Sequence, residues 1–272
     1  MGARNLASVV LVALLSLCII RGVSAYNFTD CCDSKLVHWF DFSDTSNYGT
    51  EAQSTLSSFV DNIGISGSHT LRGNVQYVPN VQNGLGAMFV HRDSFGCLQF
   101  STASSIPNPE VILAYRIVCA KDCVSDSGII FGDTNNGYHF GAYRQAVDYV
   151  GNSQTSGAVY TTMYAPYESW HVSDSYFGEN SPDGFLIIDG DESSKITFGI
   201  SGKFSASALT KPCLGGYPDH GPMTHYAETY IGEVLIFNEK LTDAERTTVT
   251  SKLMNKWVSC DASTAPSNGA AG

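Results

Sequence analysis

Tyr230-Ile-Gly-Glu-Val-Leu-Ile-Phe-Asn-Glu-Lys-Leu-Thr-Asp-Ala-Glu-Arg-Thr-Thr-Val-Thr-Ser-Lys-Leu-Met-Asn-Lys-Trp257 decides the fold. Ile231 to Phe237 is mostly apolar, with Val234, Leu235, Ile236 and Phe237 consecutive, as in a strand covered on both faces. Asn238-Glu239-Lys240 breaks the run. Thr242 then fits a helix N-cap, and Glu245 stands where a capping box places its acidic partner. Asp243 and Glu245 suit the positive end of the helix dipole, and Lys252 and Lys256 the negative end. Val249, Leu253 and Trp257 recur at a spacing that puts them on one helix face, so the helix packs on something.

Working back from that closing unit, Leu36-Val-His-Trp-Phe-Asp41 reads as a strand and runs into the polar turn at Ser43-Asp44. Phe59-Val-Asp-Asn-Ile-Gly64, Tyr77-Val-Pro-Asn-Val-Gln-Asn-Gly-Leu-Gly86 and Ala87-Met-Phe-Val90 follow. In this order the segments resemble the laminin-G-like branch of the concanavalin A-like lectin/glucanase superfamily. Its domains often open on a Leu-Val-x-Trp-x-Asp type of strand. They close on Glu, four apolar residues and Asn, then Leu-Thr-Asp-Ala-Glu-Arg and a Trp. The closing motif agrees almost position for position, and residues 100–225 agree in rhythm alone. The resemblance implies an all-β, two-sheet antiparallel jelly-roll sandwich with a short C-terminal helix. That fold hosts lectins, glycosidases, adhesion modules and structural spacers, so it does not choose a function.

The middle of the chain is consistent with the sandwich. Val111 to Val118 reads as a strand. Gly128–Phe131 and Tyr138–Tyr143 flank a turn-rich loop, and Phe185–Ile188 and Lys195–Ile200 flank Asp189-Gly-Asp-Glu192. Many short strands with one helix argue for two packed sheets. Lys203 to Thr229 contains three prolines and reads as a long irregular loop, a common place for a functional rim.

Residues 1–25 have the pattern of a secretory signal: Arg4, an apolar stretch from Leu6 to Ile20, and the small-residue site Val23-Ser-Ala25. The expected mature domain is 26–260, followed by a tail over 261–272 whose composition predicts disorder. Removing Arg4 and Arg21 takes the formal charge from −11 to −13. A surface so poor in Lys and Arg disfavours nucleic acid and anionic membranes, and no later segment is apolar enough for membrane insertion. Asn27-Phe-Thr29 is an N-glycosylation sequon.

Cys18 leaves with the signal, and Cys31, Cys32, Cys97, Cys119, Cys123, Cys213 and Cys260 remain. Secretion makes disulfides the expectation, and an odd number leaves one thiol free or paired with another chain. Cys119 and Cys123 are spaced to close a small loop. The resemblance, whose termini lie close together, implies a staple from Cys31 or Cys32 to Cys260. Zinc is disfavoured, because paired Cys-x-x-Cys motifs and histidines at ligand spacing are absent.

A glycosidase of the resembled superfamily carries alternating carboxylates on one strand, and no such run is present; Gly-x-Ser-x-Gly is absent too. The sequence therefore reads as non-catalytic, with a hydrolase built on an unfamiliar carboxylate pair as an alternative. For glycan or matrix material the best candidates are Tyr164, Tyr167, Glu168, Trp170, His171 and Asp174, a stretch mixing aromatic faces with polar groups. Tyr217 and His220 in the long loop are second. The competing reading is that these aromatics fill the core. Asp133, Asn135 and Asn136, or Asp189 and Asp191, offer hard oxygens suited to Ca²⁺, though Asp, Asn and Gly also simply make turns. The expected function is a secreted recognition module for glycan or extracellular-matrix material. A structural coat or matrix component assembled through disulfides, using the odd cysteine, is the other alternative.

Overall fold

The computed structural model describes residues 28–32, 34–44, 69–72, 74–91, 97–100, 106–118, 128–133, 138–143, 147–152, 157–164, 168–176, 184–198, 209, 211–216 and 228–259. A short helix α1 (Thr29–Cys32) precedes β1 (Leu36–Asp41), β2 (His69–Arg72), β3 (Val75–Gln82), β4 (Leu85–Val90) and β5 (Cys97–Phe100). Then come β6 (Glu110–Ile117), β7 (Gly128–Asp133), β8 (Tyr138–Tyr143), β9 (Val147–Asn152) and β10 (Gly157–Tyr164). The series ends with β11 (Trp170–Tyr176), β12 (Gly184–Ile188), β13 (Ile196–Phe198), β14 (Pro212–Leu214), β15 (Thr229–Phe237) and helix α2 (Asp243–Leu253), which runs into a π-helical turn, Met254–Val258.

Two antiparallel sheets result, as the sequence leads one to expect. The first has the order β13-β12-β11-β6-β15-β4-β3, with β1 also paired to β15, and the second runs β10-β9-β8-β7-β14-β5-β2. Residue alternation along the strands builds two separate apolar layers. Val111, Leu113, Tyr115 and Ile117 of β6 face the second sheet, where Leu98, Phe100, Ile130, Phe131, Phe140 and Leu214 meet them. Ile112 and Ala114 point the other way, into a layer completed by Val249, Leu253 and Trp257 of the closing helix. The first sheet is therefore covered on both faces, which accounts for the unbroken apolar run in β15.

The closing helix forms as its sequence dictates. Thr242 Oγ1 accepts from Glu245 N, and Glu245 Oε2 accepts from Thr242 N at 2.7 Å, a complete capping box. Register in β15 shifts between Ile231 and Glu233, where its edge passes from β4 to β1. Gly232 occupies this bulge. A Cβ there would stand 2.7 Å from the Trp257 ring, so only glycine lets the indole lie on the strand.

Two expectations about the chain are corrected. Residues 203–229 are not wholly irregular, because Pro212–Leu214 forms β14 between β5 and β7. Pro212 is tolerated as the first residue of its strand, and Cys213 is bonded to Cys97. The staple from Cys31 or Cys32 to Cys260 is not formed, since both N-terminal thiols are free. The N-terminal segment is tied to the helix by other means. Lys35 Nζ donates to Glu245 Oε2 at 2.8 Å, and the Lys252 ammonium lies over the Phe28 ring. Cys119, Cys123, Cys260, the signal, the sequon's Asn27 and the tail lie outside the described residues.

Candidate functional site

Trp170–Tyr176, expected as a turn-rich aromatic rim, is a wholly buried strand beside β6. Its period-two pattern sends Trp170 and Val172 to the helix side, and Trp170 stacks on Trp257 with ring centroids 4.6 Å apart. Trp170 is 1 % exposed, so its indole is not a platform for a sugar. Tyr164 ends β10 in the other sheet, which splits the stretch in two. Glu168 is exposed. Tyr167, Tyr217, His220, Asn135 and Asn136 lie outside the described residues.

Asp174 does meet a site, while His171, on the other face of β11, reaches it only through Asp189. His171 is buried, and its Nδ1 lies 2.8 Å from Asp189 Oδ2. Asp189 Oδ1 also accepts from Val172 N, which pins the β12–β13 turn to β11. Asp189 and Gly190 both take left-handed backbone angles, φ 55° and 67°. Asp191 caps the 3₁₀ turn Glu192–Ser194 through Ser193 N. This turn approaches helix α2 so closely that a Cβ on Gly190 would stand 3.0 Å from Thr250.

Between that turn, β11–β12 and α2 lies a cavity of about 350 Å³. Asp174, Asp189, Glu192, Arg246, Thr250 and Ser251 supply its polar wall, and Ile187 and Met254 its apolar one. Arg246 organises the floor. Its Nε donates to Glu110 Oε1 at 3.2 Å, its Nη1 to Asp243 Oδ1 at 2.7 Å and its Nη2 to the Leu241 carbonyl at 3.1 Å. Glu110 Oε2 accepts from Leu241 N at 2.7 Å. Asp174 Oδ2 lies 2.9 Å from Arg246 Nε, yet as a carboxylate neither of its oxygens accepts a hydrogen bond, and Thr250 Oγ1 is likewise without a partner. Burial, and next the neighbouring Glu110 charge, push the Asp174 carboxyl well up. Burial also raises Glu110, against the pull of Arg246.

Glu110, Arg246 and Thr250 were missed as site residues. The signal for Arg246 was present, since it precedes Val249 by three residues and Leu253 by seven and so sits on the buried helix face. The Glu110–Asp174 pair does not form a glycosidase arrangement. Both carboxyls contact one guanidinium nitrogen, so no sugar ring fits between them.

Asp133 ends β7, is buried, and accepts from Lys211 N through Oδ2 at 2.9 Å. Among the described residues, no group of three or more His, Cys, Asp or Glu side chains is placed to hold a metal ion. Nor, among them, is any helix long and apolar enough to cross a membrane.

No protein-family model matches the chain, and no curated protein is significantly similar to it in sequence. Solved structures are similar in fold. The binding domain of botulinum neurotoxin DC in complex with rat synaptotagmin II superposes with a TM-score of 0.57 at 13 % identity, over 81 % of this chain and 52 % of that one. A structure described with the dependence of botulinum neurotoxin type C cell entry on two ganglioside molecules gives 0.57 at 14 %, over 84 % and 53 %. The serotype C1 binding domain gives 0.54 at 15 %, over 84 % and 53 %. At such identities the likeness establishes a shared β-sandwich. The chain spans about half the length of these neighbours.

Proposed function

We propose that this chain is a secreted, non-catalytic recognition module of concanavalin A-like, laminin-G-type architecture that binds glycan. The observation that carries the reading is the cavity beside α2, where buried Thr250 and Asp174 present polar atoms without a hydrogen-bond partner, Asp174 being held only by its ion pair with Arg246. Native interiors rarely leave such groups unmet, and a ligand rich in hydroxyls meets them. The sandwich shared with toxin binding domains, one of them described with ganglioside, supports the reading at the level of fold. Removal of residues 1–25 and export belong to the same proposal, and N-terminal sequencing of the secreted protein checks them.

A glycan array probed with and without calcium tests the reading. Selective binding is expected. A blank array under both conditions overturns it. Covalent assembly is a second reading, favoured by the unpaired Cys31, which is partly exposed. A strictly monomeric band on a non-reducing gel removes it. Cys32 is a poor candidate for such a link, because burial, and then its neighbour Cys31, push its thiol up to about 12.

A further inference from the structure

We propose that the cavity between the β12–β13 turn and α2 takes one donor-rich, non-anionic hexose unit, uncharged or amino-bearing, and excludes carboxylated and sulfated sugars. This rests on the glycan-binding reading above. Three observations carry it. The first is size: about 350 Å³ lies at the small end of the ~300–1,000 Å³ range of ligand pockets, room for one ring.

The second is the balance of donors and acceptors. Arg246 is the cationic group in the wall, and its nitrogens are engaged by Glu110, Asp174, Asp243 and Leu241. Thr247 Oγ1 is spent on the Asp243 carbonyl. The wall therefore offers an incoming ligand mainly acceptors: Asp174, the Thr250 hydroxyl oxygen, and the lone pairs that Asp189 and Glu192 keep beside their bonds to Val172, His171 and Lys195. Hydroxyl or ammonium hydrogens satisfy them, whereas an anion meets the Asp189 and Glu192 carboxylates with no uncommitted guanidinium. The third is the apolar side. Ile187 and Met254 also line the cavity and suit the C–H surface of a pyranose.

Ligand-observed NMR titration of the whole protein with glucose, glucosamine, glucuronic acid and glucose 6-sulfate tests this. Ser251 and Asn255 line the mouth and are exposed on the helical segment, so Ser251→Tyr and Asn255→Trp fill the entrance while keeping the wild-type melting temperature. Glucose or glucosamine is expected to bind, the two anionic sugars about tenfold or more weaker, and both variants to lose about tenfold in affinity. Equal or tighter binding of the anionic sugars overturns the proposal, as does undiminished binding in both variants. Glycans bound on an array together with silence from all four monosaccharides overturn the pocket assignment and leave glycan binding standing. A blank array overturns both.

Discussion

Two buried charge clusters fasten the closing helix to the first sheet, and they differ in how completely they are satisfied. At one end Glu233, fully buried, accepts from Trp39 Nε1 at 2.8 Å, Lys256 Nζ at 2.7 Å and Trp257 Nε1 at 3.2 Å. Lys256 Nζ also donates to Asp41 Oδ2 at 2.8 Å. Burial alone would lower the Lys256 ammonium, and Glu233 and Asp41 hold it above its ordinary value instead. At the other end Arg246 serves two carboxylates with one Nε–H, and Asp174 is left short beside a cavity. The same kind of chemistry thus gives a closed fastening in one place and an open wall in the other. Burial of charge does not distinguish structure from site here; incomplete satisfaction at the wall of a cavity does.

Substitutions that break the satisfied cluster should have the largest effect. Glu233→Ala leaves Lys256 buried with Asp41 alone and is expected to cost about 3–5 kcal/mol in chemical denaturation. Gly232→Ala pushes the Trp257 ring off β15 and is expected to cost about 1–3 kcal/mol by the same measurement.

Asp174→Asn should behave oppositely, with stability at pH 7 unchanged or raised by about 1 kcal/mol. The Asp174 carboxyl is raised in the folded protein, so the stability tied to its protonation is fully present below its ordinary value of 3.8 and is lost as pH rises through the folded value. The wild type should decline over that window and the variant should decline less, because Glu110, raised in the same sense, still contributes. A loss of more than about 2 kcal/mol in Asp174→Asn at pH 7 would make Asp174 a fastening like Glu233.

Glu245→Gln is expected to have the smallest effect, about 0.5 kcal/mol, since glutamine preserves the capping box and only the partly exposed pair with Lys35 is lost. Two interactions, first the Lys35 hydrogen bond and then that of the Thr242 backbone, hold the Glu245 carboxyl down to about 2. Its contribution is therefore present above its ordinary 4.5 and disappears as pH falls through about 2. Melting temperatures of the two proteins should converge at the acid end.

The closing unit was legible because every level of its sequence agrees: apolar run, breaking turn, Thr242 cap and the stripe of Val249, Leu253 and Trp257. Strand β11 was obscured because His171, Ser173, Asp174 and Ser175 put polar residues on both faces of a strand that is buried throughout. Trp170, Val172 and Tyr176 nevertheless keep the period of two, and Asp174 is the single interruption on their face. That interruption marks the cavity, while Trp170 and Tyr176 are core. Strand β14 is three residues long, and its hold comes from neighbours and from Cys97, far away in sequence. The Arg246 cluster needs three distant segments, around residues 110, 174 and 246, and no local pattern joins them.

The direct test is carbon-detected NMR of the side-chain carboxyls of Asp174 and Glu233 during titration with glucosamine. The account expects the Asp174 signal to move with saturation while Glu233 stays fixed. If both stay fixed while the sugar binds, or if they move together, the distinction between an open wall and a closed fastening is wrong.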